Sequence, residues 1–306
     1  MSTAPVIAAV DGSDDSLRAL DWALDAARRR AAPLRVVHVR QYAAWGQPDV
    51  LVAGEPDAAG DPVLDEARDR LVADAVGPVA EYPAVEYVAL EGAPSALLPE
   101  LGSDAQLLVL GSRGRGGFAS LILGSNGMAA ARDARCPVVV VPRPGREVHD
   151  QLPAQPGPRV VVGVDVDSPD DATLAFGFEE AVWRGARLQV IAAYPWPVQF
   201  WATAGELAPP TVDQDEVEQE TRTLAEGFLA PHLKEYPNVR AEVLALPGDA
   251  AGALVAASKD AELVVVGRHR RRLLAPARMM GSVTQAVLLH AAGPVAVIPP
   301  SSSEES

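Results

Sequence analysis

The sequence predicts an α/β protein made of two tandem doubly wound domains, each with a five-stranded parallel sheet in the order 3-2-1-4-5. The length of 306 residues is about twice that of a usual single-core domain. The segment Val-Ile-Ala-Ala-Val-Asp at 6–11 returns as Val-Val-Val-Gly-Val-Asp at 160–165, and later glycines recur at nearly the same spacing. Each half also alternates short β-branched apolar runs with longer segments of helical periodicity, which is typical of a parallel sheet covered by helices on both faces.

The individual elements follow in order from these runs. In the first half we expect strands at 6–10, 34–39, 85–90, 106–110 and 138–141, and helices at 14–31, 62–80, 94–102 and 125–135. In the second half we expect strands at 160–164, 188–192, 239–246, 262–266 and 295–298, with a long amphipathic helix at 212–230. The strand runs are almost continuously hydrophobic, which indicates strands buried on both faces of the sheet.

Domain boundaries are predicted from the repeat and from the distribution of proline. We expect a first domain over 1–143, a linker over 144–158, a second domain over 159–300 and a frayed tail over 301–306. The stretch 143–158 contains four prolines and two glycines, a composition that favours a connection rather than an element.

Composition and charge exclude several classes of protein. Hydrophobic residues make up 48% of the chain and charged residues 22%, which indicates a folded globular protein that neither is disordered nor crosses a membrane. The 41 acidic and 26 basic side chains give a net charge of −15, which would repel a polyphosphate backbone. We therefore expect neither nucleic acid nor a membrane as a partner.

The cysteine and histidine content bears on the cellular compartment and on metal binding. Cys136 is the single cysteine, so no intrachain disulfide can form, and the first ten residues lack the pattern of a signal peptide. We expect a cytoplasmic protein. The five histidines lie far apart and show no metal-binding spacing, so we expect no metal ligated by the protein itself.

A glycine-rich loop after the fourth strand of the first half indicates an anion site. It runs from 111 to 117 as Gly-Ser-Arg-Gly-Arg-Gly-Gly, and Gly124-Ser125-Asn126 then opens a helix. Glycines let backbone amides approach a phosphate closely, and the start of a helix adds oriented donors. The loop is not a Walker motif, because no Gly-Lys-Ser/Thr follows, and it follows the wrong strand for a dinucleotide fingerprint. The alternative is a flexible surface loop with Ser125 as an ordinary N-cap.

Asp11 ends the first strand, beside the fourth strand, where doubly wound folds place their ligands. Its carboxylate could accept a hydrogen bond from an amine or a ribose hydroxyl. The alternative is that Asp11, Asp14 and Asp15 favour the positive end of the first helix, with Ser13 as its cap.

These residues resemble the nucleotide-binding pattern of the universal stress protein family. The resemblance rests on Gly111-x2-Gly114-x9-Gly124-Ser125, on Val10-Asp11-Gly12-Ser13, and on Cys136-Pro137-Val138 before the last strand. It extends over the whole chain and implies that ATP, with or without Mg, lies across the strand ends. Asp11 and the backbone at Val39 would hold adenine and ribose. The implied binding set of the first domain is Asp11, Gly12, Ser13, Val39, Gly111, Ser112, Arg113, Gly114, Arg115, Gly116, Gly117, Gly124, Ser125 and Asn126.

The second half departs from this pattern, so its phosphate loop is degenerate. Arg270 replaces the middle glycine, Val166 replaces Gly12, and the loop from Gly267 to Gly281 is one residue longer. An added Cβ could obstruct a phosphate, although the arginines at 268, 270, 271, 272 and 278 could grip one by their guanidinium groups. The alternative is a solvated basic loop. The candidate residues here are Asp165, Ala193, Gly267, Arg268, Gly281 and Ser282.

The function that the resemblance implies is that of an ATP-binding regulator or sensor in a stress response, not an enzyme. The alternative is an ATPase or phosphotransferase that uses the same site. Its turnover should be slow, because Arg113 and Arg115 are the only evident groups that could stabilise charge on the γ-phosphate, and no carboxylate that could hold a metal is recognisable. A scaffold that acts without nucleotide, through the aromatic residues near Tyr194 and the basic loop, is a third reading. In this family the last strand pairs two domains antiparallel, so the halves should form an intramolecular pseudo-dimer. A homodimer of whole chains is left open.

Overall fold

The computed structural model describes residues 4–41, 60–74, 82–114, 123–148, 157–194, 213–268 and 280–300. The first half contains β1 (Val6–Val10), α1 (Asp14–Arg29), β2 (Leu34–Arg40), α2 (Pro62–Asp74), β3 (Val85–Glu91), α3 (Pro94–Leu101), β4 (Leu107–Gly111), α4 (Ser125–Asp133) and β5 (Val138–Val141). The second half contains β6 (Arg159–Val164), α5 (Asp171–Arg184), β7 (Arg187–Tyr194), α6 (Gln214–Glu235), β8 (Ala241–Pro247), α7 (Ala250–Ala257), β9 (Leu263–Gly267), α8 (Ser282–His290) and β10 (Val295–Ile298).

All ten strands form one sheet in the order β3-β2-β1-β4-β5-β10-β9-β6-β7-β8. Each half therefore has the predicted order 3-2-1-4-5, and every pairing within a half is parallel. The halves meet where β5 and β10 pair antiparallel, with Ala296 opposite Val139. All residues of these two strands are buried, so the apolar edge of each half is covered by the other. The expected intramolecular pairing is confirmed.

Two hydrophobic layers cover the faces of the sheet. One contains buried residues of α1, α2, α5 and α6, and the other contains those of α3, α4, α7 and α8. No helix among the described residues is long and apolar enough to cross a bilayer.

Helix α6 extends beyond its predicted end at 230, although Pro231 lacks the amide that would continue the helical hydrogen bonds. Tertiary packing explains the extension. The ring of His232 stacks on Phe178 of α5 with centroids 5.3 Å apart, and its Nε2 lies 3.0 Å from Asp171 Oδ1. Tyr236 also stacks on Phe178 at 5.7 Å. These contacts with α5 hold the last turn in place.

The halves also meet through a buried ion pair between Arg30, at the end of α1, and Glu180 of α5. The Glu180 carboxylate is fully buried and pairs with Arg30 of the first half and with Arg184, whose Nε lies at 3.0 Å. The Arg30 guanidinium stacks over Trp183 at 4.3 Å, and that of Arg184 lies over Trp22 at 5.0 Å. Each half thus supplies a tryptophan that covers an arginine of the other.

On the opposite face of the sheet, arginines cap helices of the other half. Arg268 Nη1 donates to the carbonyl of Ala134, at the end of α4, over 2.8 Å. Arg146 Nη1 donates to the carbonyls of Leu289 and Ala291, at the end of α8, each over 3.1 Å. Cationic donors suit the exposed carbonyls at helix C-termini, so these bonds join the halves at two further points.

Candidate functional site

The first candidate site lies at the carboxyl ends of β1 and β4, which are neighbours in the sheet. The helices that follow these strands, α1 and α4, pack on opposite faces of the sheet and leave a crevice between them. The crevice contains a cavity of about 90 Å³. Its apolar wall includes Ala9, Val37, Val39, Pro94 and Leu98, and its polar wall includes Asp11, Gly111, Ser112, Arg113, Gly114, Gly124 and Asn126.

Asp11 lies at the turn between β1 and α1. Its Oδ1 accepts hydrogen bonds from the backbone amide of Ser13 at 3.1 Å and from the Ser13 hydroxyl at 2.6 Å. The Ser13 hydroxyl accepts in turn from the amide of Ser16, so Ser13 is the N-cap of α1. Gly12 has a φ of 72°, a left-handed conformation that favours glycine. The two interpretations of this segment are compatible, because Ser13 caps the helix while Asp11 lines the cavity.

Asp15 anchors the base of the glycine-rich loop that follows β4, a role that sequence reasoning missed. Its side chain is 1% exposed. Its Oδ2 accepts from the Ser112 hydroxyl at 3.1 Å, and its Oδ1 accepts from Arg18 and, at 3.2 Å, from Arg143. Burial opposes the ionisation of Asp15, but the hydrogen bonds and charges of these partners outweigh it and lower its pKa.

Ser112 therefore supports the loop instead of presenting its hydroxyl to a ligand. Its amide donates to the carbonyl of Val141 at 3.0 Å, and its carbonyl accepts from the amide of Gly124 at 2.9 Å. This second bond closes the loop by joining its two ends. Arg113 lines the cavity, and its carbonyl accepts from the Ser13 hydroxyl at 3.3 Å.

The three spaced glycines of the loop make different contacts. A Cβ on Gly111 would lie 2.6 Å from the backbone of Asp15, so this glycine lets α1 approach β4. A Cβ on Gly114 would lie 2.3 Å from Asp11 Oδ2, so Gly114 packs against that carboxylate. A Cβ on Gly124 would meet no described atom nearer than 3.9 Å. Of the three, Gly124 is the one that faces space a ligand could fill.

Helix α4 begins without a side-chain cap. Its N-cap is Gly124, and Ser125, the N-cap of the alternative interpretation, is instead the first helical residue. The amide of Met128 makes the first intrahelical bond, to the carbonyl of Gly124, so the amides of 125–127 have no partner within the helix. In contrast, α1, α5, α6 and α7 are each capped by a serine or aspartate side chain. The start of α4 thus presents donors and a partial positive charge to the crevice.

The structure brings most of the predicted residues of the first half to this crevice. Asp11, Val39, Gly111, Ser112, Arg113, Gly114, Gly124 and Asn126 line the cavity, with Gly12, Ser13 and Ser125 adjoining it in the chain. Arg115, Gly116 and Gly117 lie outside the described residues.

Comparison with protein families identifies both halves. The model of the universal stress protein family matches residues 3–142 and again residues 158–299. The chain belongs to the universal stress protein family. The two matches confirm the tandem organisation that the internal repeat predicts.

Relatives of similar length match the chain over almost its whole length. A universal stress protein of Mycobacterium tuberculosis is 32% identical over 300 residues, which cover 95% of this chain and 96% of the relative. Another from the same species is 30% identical over 308 residues, covering 97% and 96%. The crystal structure of a universal stress protein from Archaeoglobus fulgidus matches with a TM-score of 0.60 and 19% identity, covering 99% and 98%. The structural match shows a shared fold.

The second half has an equivalent pocket, although it departs from the pattern of the first half. A cavity of about 620 Å³ lies at the carboxyl ends of β6 and β9. All six candidate residues of this half line it, namely Asp165, Ala193, Gly267, Arg268, Gly281 and Ser282. Helix α8 starts at this cavity with Gly281 as its N-cap and without a side-chain cap, as α4 does at the first.

The turn after β6 shows why Val166 can replace Gly12. Here the N-cap is Asp170, five positions beyond Asp165, whereas in the first half Ser13 lies two positions beyond Asp11. The longer turn closes through a bond from the amide of Ser168 to the carbonyl of Asp165. Val166 has no left-handed backbone, so no glycine is needed at this position. Arg270 and the arginines at 271, 272 and 278 lie outside the described residues.

Proposed function

We propose that the protein binds adenine nucleotide, with ATP as the ligand, and acts as a nucleotide-dependent regulator or sensor in a stress response. One observation carries this proposal: Asp11 and the uncapped start of α4 meet at a single crevice, at the point where the strand order reverses. A carboxylate suits a ribose hydroxyl or a ring amine, and helix amides suit phosphates. Membership of the family supports the same ligand.

The residues of the first site form an apolar wall and a separate set of backbone donors. The apolar wall that includes Val39 and Leu98 would take the adenine ring. The amides of 125–127 and the open space at Gly124 would take the phosphates. The cavity of about 90 Å³ is smaller than the roughly 300–1,000 Å³ of a complete ligand pocket. Because Gly114 packs against Asp11, we infer that these two residues separate when the nucleotide enters.

A slow ATPase or phosphotransferase is the second candidate function. Arg113 lines the cavity and could stabilise charge on a terminal phosphate. Among the described residues no group of three or more His, Cys, Asp or Glu could hold a metal, so Mg would depend on phosphate oxygens and water. We expect turnover, if measurable, to be well below the roughly 1–100 s⁻¹ of kinases.

The decisive experiment is to identify and count the nucleotide that purified protein releases on denaturation. Calorimetric titration with ATP and GTP, on wild type and Asp11→Ala, would accompany it. We expect ATP to bind and Asp11→Ala to weaken binding by about tenfold, equivalent to about 1.4 kcal/mol. Absence of ATP binding would overturn the proposal. Phosphate release at kinase-like rates would move the assignment to the enzymatic alternative.

A further inference from the structure

The two pockets occupy equivalent places, but their ring-facing walls differ in size. The strand register makes β2 equivalent to β7, so Val39 of the first pocket corresponds to Ala193 of the second. In each half the glycine after the third strand donates its amide to the second strand, Gly92 to the carbonyl of Arg40 and Gly248 to that of Tyr194. These glycines are therefore equivalent, and Pro94, two residues beyond the first, corresponds to Ala250. All four residues line their cavities. The second pocket therefore has smaller side chains at both positions.

Gly163 widens the second pocket in a different way. A Cβ built on it would lie 2.8 Å from Leu254 Cδ1, closer than real side-chain contacts allow. Leu254 can therefore lie directly on the backbone of β6, withdrawn toward the sheet. In the first half the corresponding pair is Ala9 and Leu98, and Ala9 carries the methyl group that Gly163 lacks. Three positions thus enlarge the same end of the second pocket.

We propose that the second pocket binds a nucleotide whose ring portion is larger than adenine, while the first pocket is restricted to adenine itself. The enlarged ring lies against Ala193, Ala250 and Leu254. The phosphate lies at the uncapped start of α8. This inference rests on the proposed function for the general class of ligand, and it assigns the two halves different members of that class.

The test is a calorimetric titration of the full chain with ATP and with two nucleotides of larger ring portion, N6-benzyl-ATP and flavin mononucleotide. We expect one of the two larger ligands to bind with one equivalent per chain. Ala193→Val restores the side chain of the first pocket and should weaken that binding at least tenfold. Ala241→Val makes the same change on β8, outside the pocket, and serves as the control for folding.

The reciprocal variant is Val39→Ala, which should allow a second equivalent of the larger ligand to bind. If ATP binds but neither larger ligand does, the inference fails and the proposed function stands. The inference also fails if a larger ligand binds and Ala193→Val leaves its affinity unchanged. If no nucleotide binds at all, the proposed function fails, and the inference fails with it.

Discussion

Gly124 offers the sharpest single-residue test of the phosphate loop. Its backbone has an ordinary φ of −74°, and an added Cβ would meet no described atom nearer than 3.9 Å. Steric strain is therefore absent, and Gly124→Ala should lower the melting temperature by only a few degrees, because alanine is a poorer N-cap than glycine. In the complex the methyl group would occupy space needed by a phosphate, so we expect ATP affinity to fall at least tenfold, about 1.4 kcal/mol, by calorimetry.

The control for this variant is Gly227→Ala, in the middle of α6, where an added Cβ also meets nothing within 4 Å. It should bind ATP as wild type does. Equal affinity of Gly124→Ala and wild type would show that the phosphates lie elsewhere. Gly114→Ala is a less selective test, because its Cβ would collide with Asp11 in the free protein.

Asp61 gives the first half a defined acid sensitivity. Burial opposes its ionisation, but hydrogen bonds from His38, Arg40 and the amide of Leu64 outweigh burial and lower its pKa from 3.8 to about 2. Because the folded pKa is below the unfolded one, the stabilisation is complete above about pH 4 and is lost as pH falls toward 2.

Urea unfolding of wild type and Asp61→Asn at several pH values would measure this effect. The free energies of unfolding should differ by about 2 kcal/mol near neutral pH, and the difference should shrink below pH 4. Asp65→Asn, at a half-exposed ion pair with Arg68, is the control and should change little. A difference that persists at pH 2 would contradict the assignment.

At the scale of elements, the contact between α1 and α5 depends on Glu180. Its buried carboxylate forms ion pairs with Arg30 and Arg184, and burial lowers the pKa of Arg30 despite the attraction of Glu180. Glu180→Gln would remove the ion-pair partner of the buried Arg30 and leave Arg184 with the more distant Glu262, whose Oε2 lies 3.8 Å from Nη1. We expect a loss of about 3–5 kcal/mol in the free energy of unfolding, measured with denaturant.

Glu86→Gln is the matched control for Glu180→Gln. Glu86 forms an ion pair with Arg35 at 2.7 Å, but its side chain is 59% exposed. We expect its removal to change the free energy of unfolding by less than about 1 kcal/mol. Similar losses for the two variants would show that Glu180 contributes no more than a surface pair.

Most strands and helices could be predicted because the sequence patterns that indicate them are local. Apolar runs located all ten strands, and their alternation with helical segments predicted a doubly wound parallel sheet in each half. The predicted end of helix α6 at 230 was too early, because the stacking of His232 on Phe178 is a contact between distant positions that a local pattern does not reveal.

The site shows the same division between local and distant signals. Glycine spacing indicated the loop and the start of α4. It could not show that Gly111 makes room for Asp15, or that Ser112 turns its hydroxyl to that carboxylate. Both contacts join residues almost a hundred positions apart, and they depend on how α1 packs on β4. The different sizes of the two pockets likewise emerge only when β2 and β7 are superposed through their registers.

At the scale of the whole molecule, the reactivity of the Cys136 thiol can be used to measure whether the folded structure opens. The thiol is the only one in the chain, is 4% exposed, and has its pKa raised to about 12 by burial. Since the thiolate is the reactive form, native protein should react with Ellman's reagent at pH 8 at least 100-fold more slowly than protein in urea. Rapid labelling of the folded protein would show that the region between α4 and β5 opens locally.

The antiparallel pairing of β5 with β10 has a consequence for the composition of the assembly. Two separate chains joined at such an edge would part on dilution and could exchange subunits with other copies. Here both strands belong to one polypeptide, so each meets the other at a high effective concentration that does not depend on protein concentration. The two unlike pockets are therefore always present in a one-to-one ratio, and neither half can be replaced by a copy of the other.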